Sequence, residues 1–478
     1  MSYEAVIGLE VHVELGTETK LFCSCKNGFG GEPNSRVCPI CTGQPGTLPN
    51  TNKKAVFLAL RAAKGLGCKI NKSSGQCRKH YFYPDLPKGY QISQKDTPLG
   101  VSGEFEFPSD EGIKKIRIER IHIEEDAGKL IHREDGKTLV DYNRAGVPLI
   151  EIVTEPDIRS AGEARAFLEA LRHTLIRAGI SECRMERGAM RCDVNVSLRK
   201  AGESGLRDRV EMKNINTFSG AERAIAFEVA RQTEILDSGG VVTPETRRWD
   251  DEKKTSSLMR AKESAIDYKF MPEPDIATYK ISDADIEIAG KNLPETDAEK
   301  TTRFKGLGLG RDDIKRLLCN IPVCEFFEEC ERIGTDAILS AKLLVGDVTA
   351  YLTREDKALS ETQLSTAAFS YIVSCLREKK ITNISAKKLL EKLMKSGGDV
   401  KKLAESYLSV TDEKAITETV SEVLLENPKA VEDYIKGKEE SFTFLMGQCM
   451  RKLFGRADVL MLQKILSEKI NKEKENGD

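Results

Sequence analysis

Apolar and polar residues alternate with period two from Ala5 to Leu15, with Ile7, Leu9, Val11, Val13 and Leu15 on one side and Gly8, Glu10, His12 and Glu14 on the other. This predicts a strand with one buried face, whose other face holds an imidazole between carboxylates. Side chains at i and i+2 stand about 6.6 Å apart, within reach of one cation or one activated water. A solvated strand face fits the same pattern. The alternation returns in MRCDVNVSLR, where Cys192, Val194, Val196 and Leu198 oppose Arg191, Asp193, Asn195 and Ser197. In VEMKNIN, Glu211 and Lys213 oppose Val210 and Met212. In KIRIERIHIEEDAGK the alternation of Ile116 and Ile118 resumes out of phase at Ile121 and Ile123, which predicts a bulge near Glu119 and Arg120. Beyond it His122 and Glu124 share a face, and Glu125 lies at the strand end, where facing is less constrained. The run Glu124, Glu125, Asp126 fits both a plain acidic turn and a set of metal ligands beside Glu10 and His12.

Helical periodicity of three to four marks Asn52 to Lys64, ended by Gly65 and Gly67, and also Glu163 to Ala178 and Ala221 to Leu236, ended by Gly179 and Gly239. Short strands with occasional long helices predict an α+β domain built on a mixed, largely antiparallel sheet, not a regular doubly wound one. No phosphate loop and no Rossmann glycine fingerprint occurs, so any ATP site is of an uncommon kind. The glycines of Gly306-Leu307-Gly308-Leu309-Gly310 read as a linker. From Pro294 onward the pattern is almost wholly helical. The expected division is a first domain over residues 1–293, a helical domain over 294–405 and a helical tail over 411–478, with a hinge between Gly397 and Thr411.

Composition narrows the chemistry. With 74 basic and 76 acidic side chains the net charge is only -2, so a nucleic-acid partner has to be met by a local patch. Lys436, Lys438, Arg451, Lys452 and Arg456 are candidates for such contacts, and a simply solvated, charge-balanced helical surface fits them equally. No apolar run approaches 18 residues, so no membrane span is expected. The 13 cysteines are odd in number and mostly scattered, and no apolar leader precedes Tyr3, so a reducing, cytoplasmic compartment is expected.

Four of those cysteines cluster in the Gly- and Pro-rich loop 21–45: Cys23-Ser-Cys25, then Cys38-Pro-Ile-Cys41. Two close thiol pairs of this spacing predict a tetrahedral, structural zinc site that holds a loop too poor in apolar residues to hold itself, with an iron-sulfur cluster and four unlinked thiols as the other readings. The next unusual stretch is CRKHYFYPDLPKGYQISQ, in which Arg78, Lys79, His80 and Lys88 surround Tyr81, Phe82 and Tyr83. It fits a loop that presents Lys79 to phosphates and also an aromatic-anchored surface loop. Acids and bases on one strand floor suit Mg-nucleotide chemistry, in which acids hold the cation and bases hold phosphate oxygens. Pairing of these charges across a solvated sheet is the other reading.

The runs EAVIGLEVHVEL, VCPIC, PGTLPN, HYFYPDLPKGYQISQ, RIHIEEDAGKLIH, DYNRAGVPLIEIVTEPDIRS, MRCDVNVS, VEMKNINTF, ETRRWD and MPEPDI, followed by NPKAVEDYIKGKEESFTFLMGQCMRK, come in order over nearly the whole chain. In these the chain resembles the B subunits of bacterial aspartyl/glutamyl-tRNA amidotransferases. The resemblance implies a cradle-shaped first domain that binds ATP and Mg2+. It implies phosphorylation of the side-chain carboxylate of glutamyl-tRNA(Gln) or aspartyl-tRNA(Asn), and displacement of the phosphate by ammonia from a glutaminase (amidase-type) partner subunit. The tRNA and a small third subunit of the complex are the further partners. Carried onto this sequence, Glu10, His12, Glu124, Glu125, Glu151 and Asp193 become metal-associated. Glu10, His12, Lys79, Glu125 and Arg191 become the catalytic set, with Lys79 and Arg191 stabilising phosphate charge. Zn2+ at Cys23, Cys25, Cys38 and Cys41 would be structural, and the tail would grip tRNA.

The sequence departs from the family's pattern at Cys77, where an acid is common, at Ile266 and Met271, where a His and an aromatic are common, and around Asp347, where the helical region looks shortened. These departures keep open a divergent copy that acts as a zinc-containing, tRNA-binding scaffold without kinase activity.

Overall fold

The computed structural model describes residues 3–261, 268–409 and 413–477. Ile266 and the Thr411 boundary lie outside the described residues. The chain divides into two compact units, Met1–Thr301 and Thr302–Asp478.

Strands of the first unit are β1 (Tyr3–Glu14), β2 (Lys69–Ile70), β3 (Ser73–Ser74), β4 (Cys77–His80), β5 (Tyr90–Ser93), β6 (Gly100–Ser109), β7 (Gly112–Glu125) and β8 (Lys129–His132). They continue with β9 (Thr138–Asp141), β10 (Pro148–Thr154), β11 (Met190–Lys200), β12 (Val210–Ile215), β13 (Glu245–Asp250), β14 (Thr255–Ala261), β15 (Met271–Pro272) and β16 (Tyr279–Lys280). Nine of them form one sheet in the order β14-β13-β12-β11-β1-β10-β7-β6-β2. Only the β12/β13 pair in it is parallel, so the sheet is mixed and largely antiparallel, as the alternation predicts. A smaller sheet, β15-β4-β5, stands beside it.

One face of the large sheet is sealed by α1 (Lys53–Gly65), α2 (Ala161–Arg177) and α3 (Phe218–Asp237). Ile7, Leu9, Val11 and Val13 of β1 join Leu58, Phe167, Leu168 and Ile225 of these helices in one continuous core. Phe105 and Phe107 meet the Phe167 ring edge-on at 5.9 and 5.8 Å between centroids. The helices start where capping chemistry allows. The Asn52 side chain accepts from the amides of Lys54 and Ala55, and Ser160 accepts from Glu163. Thus Asn52 is the cap of α1 and not its first turn. On β7 the bulge falls where the phase break predicts: Val153 faces Arg120, Thr154 faces Ile118, and Glu119 is skipped.

The first unit runs past Pro294 to Thr301 for a physical reason. Asp297, at the head of α4 (Asp297–Gly306), accepts from His173 at 2.7 Å and pairs with Arg177, and all three side chains are buried. These contacts tie the start of the helical region to the sheet domain, whereas composition alone marks the change at Pro294.

The second unit is helical among its described residues. It holds two cores, one around Phe304, Phe327, Phe369 and Leu389, the other around Ile416, Val420, Leu445 and Leu466. The glycine run acts as the linker expected of it: Gly306 ends α4, Gly308 takes φ +85°, and Gly310 precedes the helix Arg311–Cys319. At Asp347 the helix is not broken but carries a π turn over Leu344–Val348, and Asp347 pairs with Lys387 at 3.1 Å.

Candidate functional site

The polar face of the large sheet is the floor of a cleft of about 1210 Å³. Strand register decides what meets there. His12 lies opposite Glu151 on one neighbour and Arg191 on the other, and Glu151 lies opposite His122. This makes one row across four strands. One step along β1, Glu10 lies opposite Asp193.

Two clusters result. In the first, ligand atoms of His12, Glu124 and Glu151 all lie within 4.8 Å of one another. His12 Nε2 is 3.4 Å from Glu124 and 3.5 Å from Glu151, while His122 Nε2 is 3.3 Å from Glu151. In the second, Glu10, Asp193 and Glu211 meet within the same limit. Lys213 bridges Asp193 at 2.5 Å and Glu211 at 3.0 Å, and Asn195 donates to Glu10 at 2.9 Å.

This crowding of charge perturbs titration. Burial, reinforced by the charge of Glu151, pushes the Glu10 carboxyl up. Burial opposes charge on His122, but Glu151 and Glu124 outweigh it and raise His122 to about 9. Burial likewise opposes ionisation of Glu151, yet the two imidazoles His122 and His12 hold it well below the usual carboxylate range. His12 is raised despite its burial, chiefly by the hydrogen bond to Glu151. Two sets of three donors, one with an imidazole and one all carboxylate, with cleft space above them, fit a hard divalent cation that keeps some waters.

Of the expected catalytic and metal-associated residues, the floor brings together Glu10, His12, Glu124, Glu151 and Asp193, and Lys79 lines the same cleft. Two stand elsewhere. Glu125, at the end of β7, turns to Lys88, whose Nζ lies 2.5 and 2.6 Å from its two oxygens, and accepts from the Ile92 amide. It lines a separate pocket of about 220 Å³ with Lys20, Cys23 and Cys41. The strand alternation is what sends Glu124 to the floor and Glu125 away from it. Arg191 shares the row with His12 but pairs with Asp126 at 2.9 Å. Sequence reasoning left out His122, Glu211 and Lys213, although all three lie on the polar faces it identified. Lys20 carries no signal in the sequence, and Lys88, marked there only as part of the aromatic loop, gives none of its pairing with Glu125, because both roles join chain segments far apart.

The sulfurs of Cys23, Cys25, Cys38 and Cys41 also lie within 4.8 Å of one another. Tetrahedral zinc needs them about 3.8 Å apart. The Cys38 amide donates to Cys41 Sγ at 3.2 Å, and the fully buried Lys20 reaches it at 3.6 Å. The hydrogen bond shared by Cys23 and Cys41 lowers the Cys41 thiol and raises that of Cys23, and the charge of Lys20 adds to the lowering at Cys41. A low thiol pKa with a buried cation beside it suits thiolate ligation.

In the tail, Lys436 pairs with Glu432 at 2.5 Å, Lys438 with Asp433 at 3.0 Å, and Lys452 with Glu426 at 2.6 Å. Arg451 is exposed, and Arg456 lies 5.7 Å from the Phe454 ring centroid.

An acidic, metal-type floor within a mixed sheet, followed by helical units, defines a catalytic subunit more than a binding module. Residues 5–287 match the GatB/GatE catalytic domain, and residues 325–470 match the GatB domain. The chain is 44% identical over 480 residues to the B subunit of the aspartyl/glutamyl-tRNA(Asn/Gln) amidotransferase of Caldicellulosiruptor bescii, covering 99% of this chain and 100% of that one. Against the protein of the same name from Ruminiclostridium cellulolyticum it is 44% identical, over 99% and 98% of the two chains. Against that of Clostridium tetani it is 42% identical, over 99% and 100%. The chain belongs to the GatB family of amidotransferase B subunits. No helix among the described residues is long and apolar enough to cross a membrane.

Two outcomes follow from the site as built. Replacing Cys38 by Ser is expected to lower bound zinc from about one per chain and to destabilise the first unit, because thiolate binding of zinc is coupled to folding. Metal analysis with thermal unfolding checks this, and a wild-type chain that is fully stable without any bound metal contradicts it. The second outcome concerns pH. A histidine raised to about 9 in the folded chain, against about 6.5 unfolded, stabilises fully below pH about 6.5 and loses that contribution as pH rises through 9. Metal-free protein is therefore expected to lose urea resistance over this window, and His122→Asn to flatten the loss. An unchanged slope in the variant counts against the assignment.

Proposed function

We propose that this chain is the ATP-dependent half of an aminoacyl-tRNA amidotransferase that converts Glu-tRNA(Gln) to Gln-tRNA(Gln), Asp-tRNA(Asn) to Asn-tRNA(Asn), or both. A side-chain carboxylate oxygen attacks the γ-phosphorus of ATP and ADP leaves. Ammonia from glutamine hydrolysis in the glutaminase subunit then attacks the acyl carbon, inorganic phosphate departs, and the amide remains. The assembly is completed by a small third subunit. The observation that carries this reading is the convergence of two three-donor clusters, His12–Glu124–Glu151 and Glu10–Asp193–Glu211, on one floor of one cleft.

Approach of a carboxylate to a triphosphate sets anion against anion, so cations and fixed donors have to offset the repulsion. Bound Mg2+ supplies charge neutralisation at the phosphate oxygens. His12, Glu124, Glu151, Glu10 and Asp193 would hold it, with Glu211 added from the structure. Lys79 offers a charge that does not occupy the cation. Arg191 acts on the floor through Asp126 and the row it shares with His12, and Glu125 acts through Lys88 from the neighbouring pocket. Zn2+ is structural. Lys436, Lys438, Arg451, Lys452 and Arg456 would meet tRNA phosphates, since weak exposed ion pairs such as those of Lys436, Lys438 and Lys452 exchange readily for a polyanion. The completeness of both clusters favours the enzyme over a scaffold without kinase activity. Cys77, which replaces an acid of the family pattern, is a buried thiol pushed up by burial to about 11 and stands outside the floor.

Replacing Glu151 by Gln keeps the volume and removes the carboxylate shared by both imidazoles. In the reconstituted complex, supplied with misacylated tRNA and ammonium in place of glutamine, amidation is expected to fall about 100-fold or more. Glutamine hydrolysis by the partner subunit should persist. Near-normal amidation by the variant would falsify the role given to the floor.

A further inference from the structure

The cleft has a second kind of wall. Tyr268 and Phe270, on the segment leading into β15, are half-buried and line the cleft with Lys79 and Lys95. Each lysine rests on a ring: Lys79 Nζ lies 4.8 Å from the Tyr268 centroid, and Lys95 Nζ 4.5 Å from that of Phe270. The rings stand 6.2 Å apart at 74°, and Tyr81 meets Tyr268 at 6.2 Å and 69°. The segment is pinned: the His80 amide donates to the Tyr268 carbonyl at 2.8 Å, and the His80 ring shares a 2.8 Å hydrogen bond with the Lys269 carbonyl.

These two charges differ from three others that line the cleft. Arg120, Arg207 and Lys213 are each paired with a carboxylate. Among the described residues Lys79 and Lys95 pair with none, although the cleft between them is rich in acids. Two cations held on aromatic faces and left without counterions are placed for an anion that arrives from solution. Aromatic surface beside such cations is how proteins hold a nucleobase and its phosphate, the base stacking and the cation meeting the backbone.

We infer that Tyr268 and Phe270, with Lys79 and Lys95, form a stacking subsite for an adenine base and its adjoining phosphate. Two adenosines reach this cleft on the proposed function, on which the inference rests: that of ATP and the 3′-terminal one of the tRNA. Their shared chemistry fits the wall, and kinetics separates them.

The test uses the assembled amidotransferase with Tyr268→Leu, Phe270→Leu, the double variant and Tyr268→Phe. The Michaelis constant is measured separately for ATP and for misacylated tRNA. The double variant should raise one of the two about tenfold or more, and the one that rises names the source of the base; Tyr268→Phe should stay near wild type. A second readout needs no mutant. 2-Aminopurine in place of the adenine, in the nucleotide or at the tRNA 3′ end, should be quenched on binding to the wild-type complex in one of the two arms. An active wild-type complex in which neither Michaelis constant moves beyond about twofold and neither probe is quenched overturns the subsite alone. A wild-type complex without ATP-dependent amidation of tRNA overturns the proposed function and the subsite with it.

Discussion

Antiparallel register on a sheet sealed from one side is the constraint on which the rest depends. With Ile7, Leu9, Val11 and Val13 committed to the core, Glu10 and His12 have only the other face. A slip of one residue would exchange the two sets. Because β1 is central and pairs with both β10 and β11, His12 is flanked on both sides, by Glu151 and Arg191, and Glu10 gains Asp193 on one side. A central strand thereby concentrates acidic groups that an edge strand would leave dispersed. The hydrophobic core thus sets the position of the chemistry.

That concentration has an electrostatic cost. Carboxylates drawn out of water beside one another repel, and the structure meets the repulsion locally with His12 and His122 at Glu151 and with Lys213 at Asp193 and Glu211. Within the two clusters Glu10, whose nearest aid is the neutral Asn195, is the carboxyl left with a raised pKa. A divalent cation would relieve this one and hold all three carboxylates of its cluster, and the same logic explains why Lys20 is buried against Cys41 in the cysteine loop.

The sequence made the sheet legible because strands with one buried face announce themselves by alternation, and the β7 bulge was visible as a break in phase. Floor residues were legible for the same reason, and the family resemblance added Glu151. Three things were not. Glu125 looks equivalent to Glu124 in a run of acids, because alternation is weakly constrained at a strand end and its partner Lys88 comes from a separate loop. The extension of the first unit to Thr301 depends on Asp297 reaching His173 and Arg177, a contact across more than a hundred residues. The aromatic wall joins residues near 80 and near 270 through the pairing of β15 with β4, which neither segment signals by itself.

Cation binding by the floor is the claim on which the account turns, and it can be measured without tRNA or the other subunits. Titration of the purified chain with Mn2+, followed by the loss of the free-ion electron paramagnetic resonance signal in the presence and absence of ATP, reads it directly. The account predicts binding that ATP strengthens and that Glu151→Gln and Glu211→Gln each weaken about tenfold or more. Mn2+ binding indifferent to both substitutions and to ATP would contradict it.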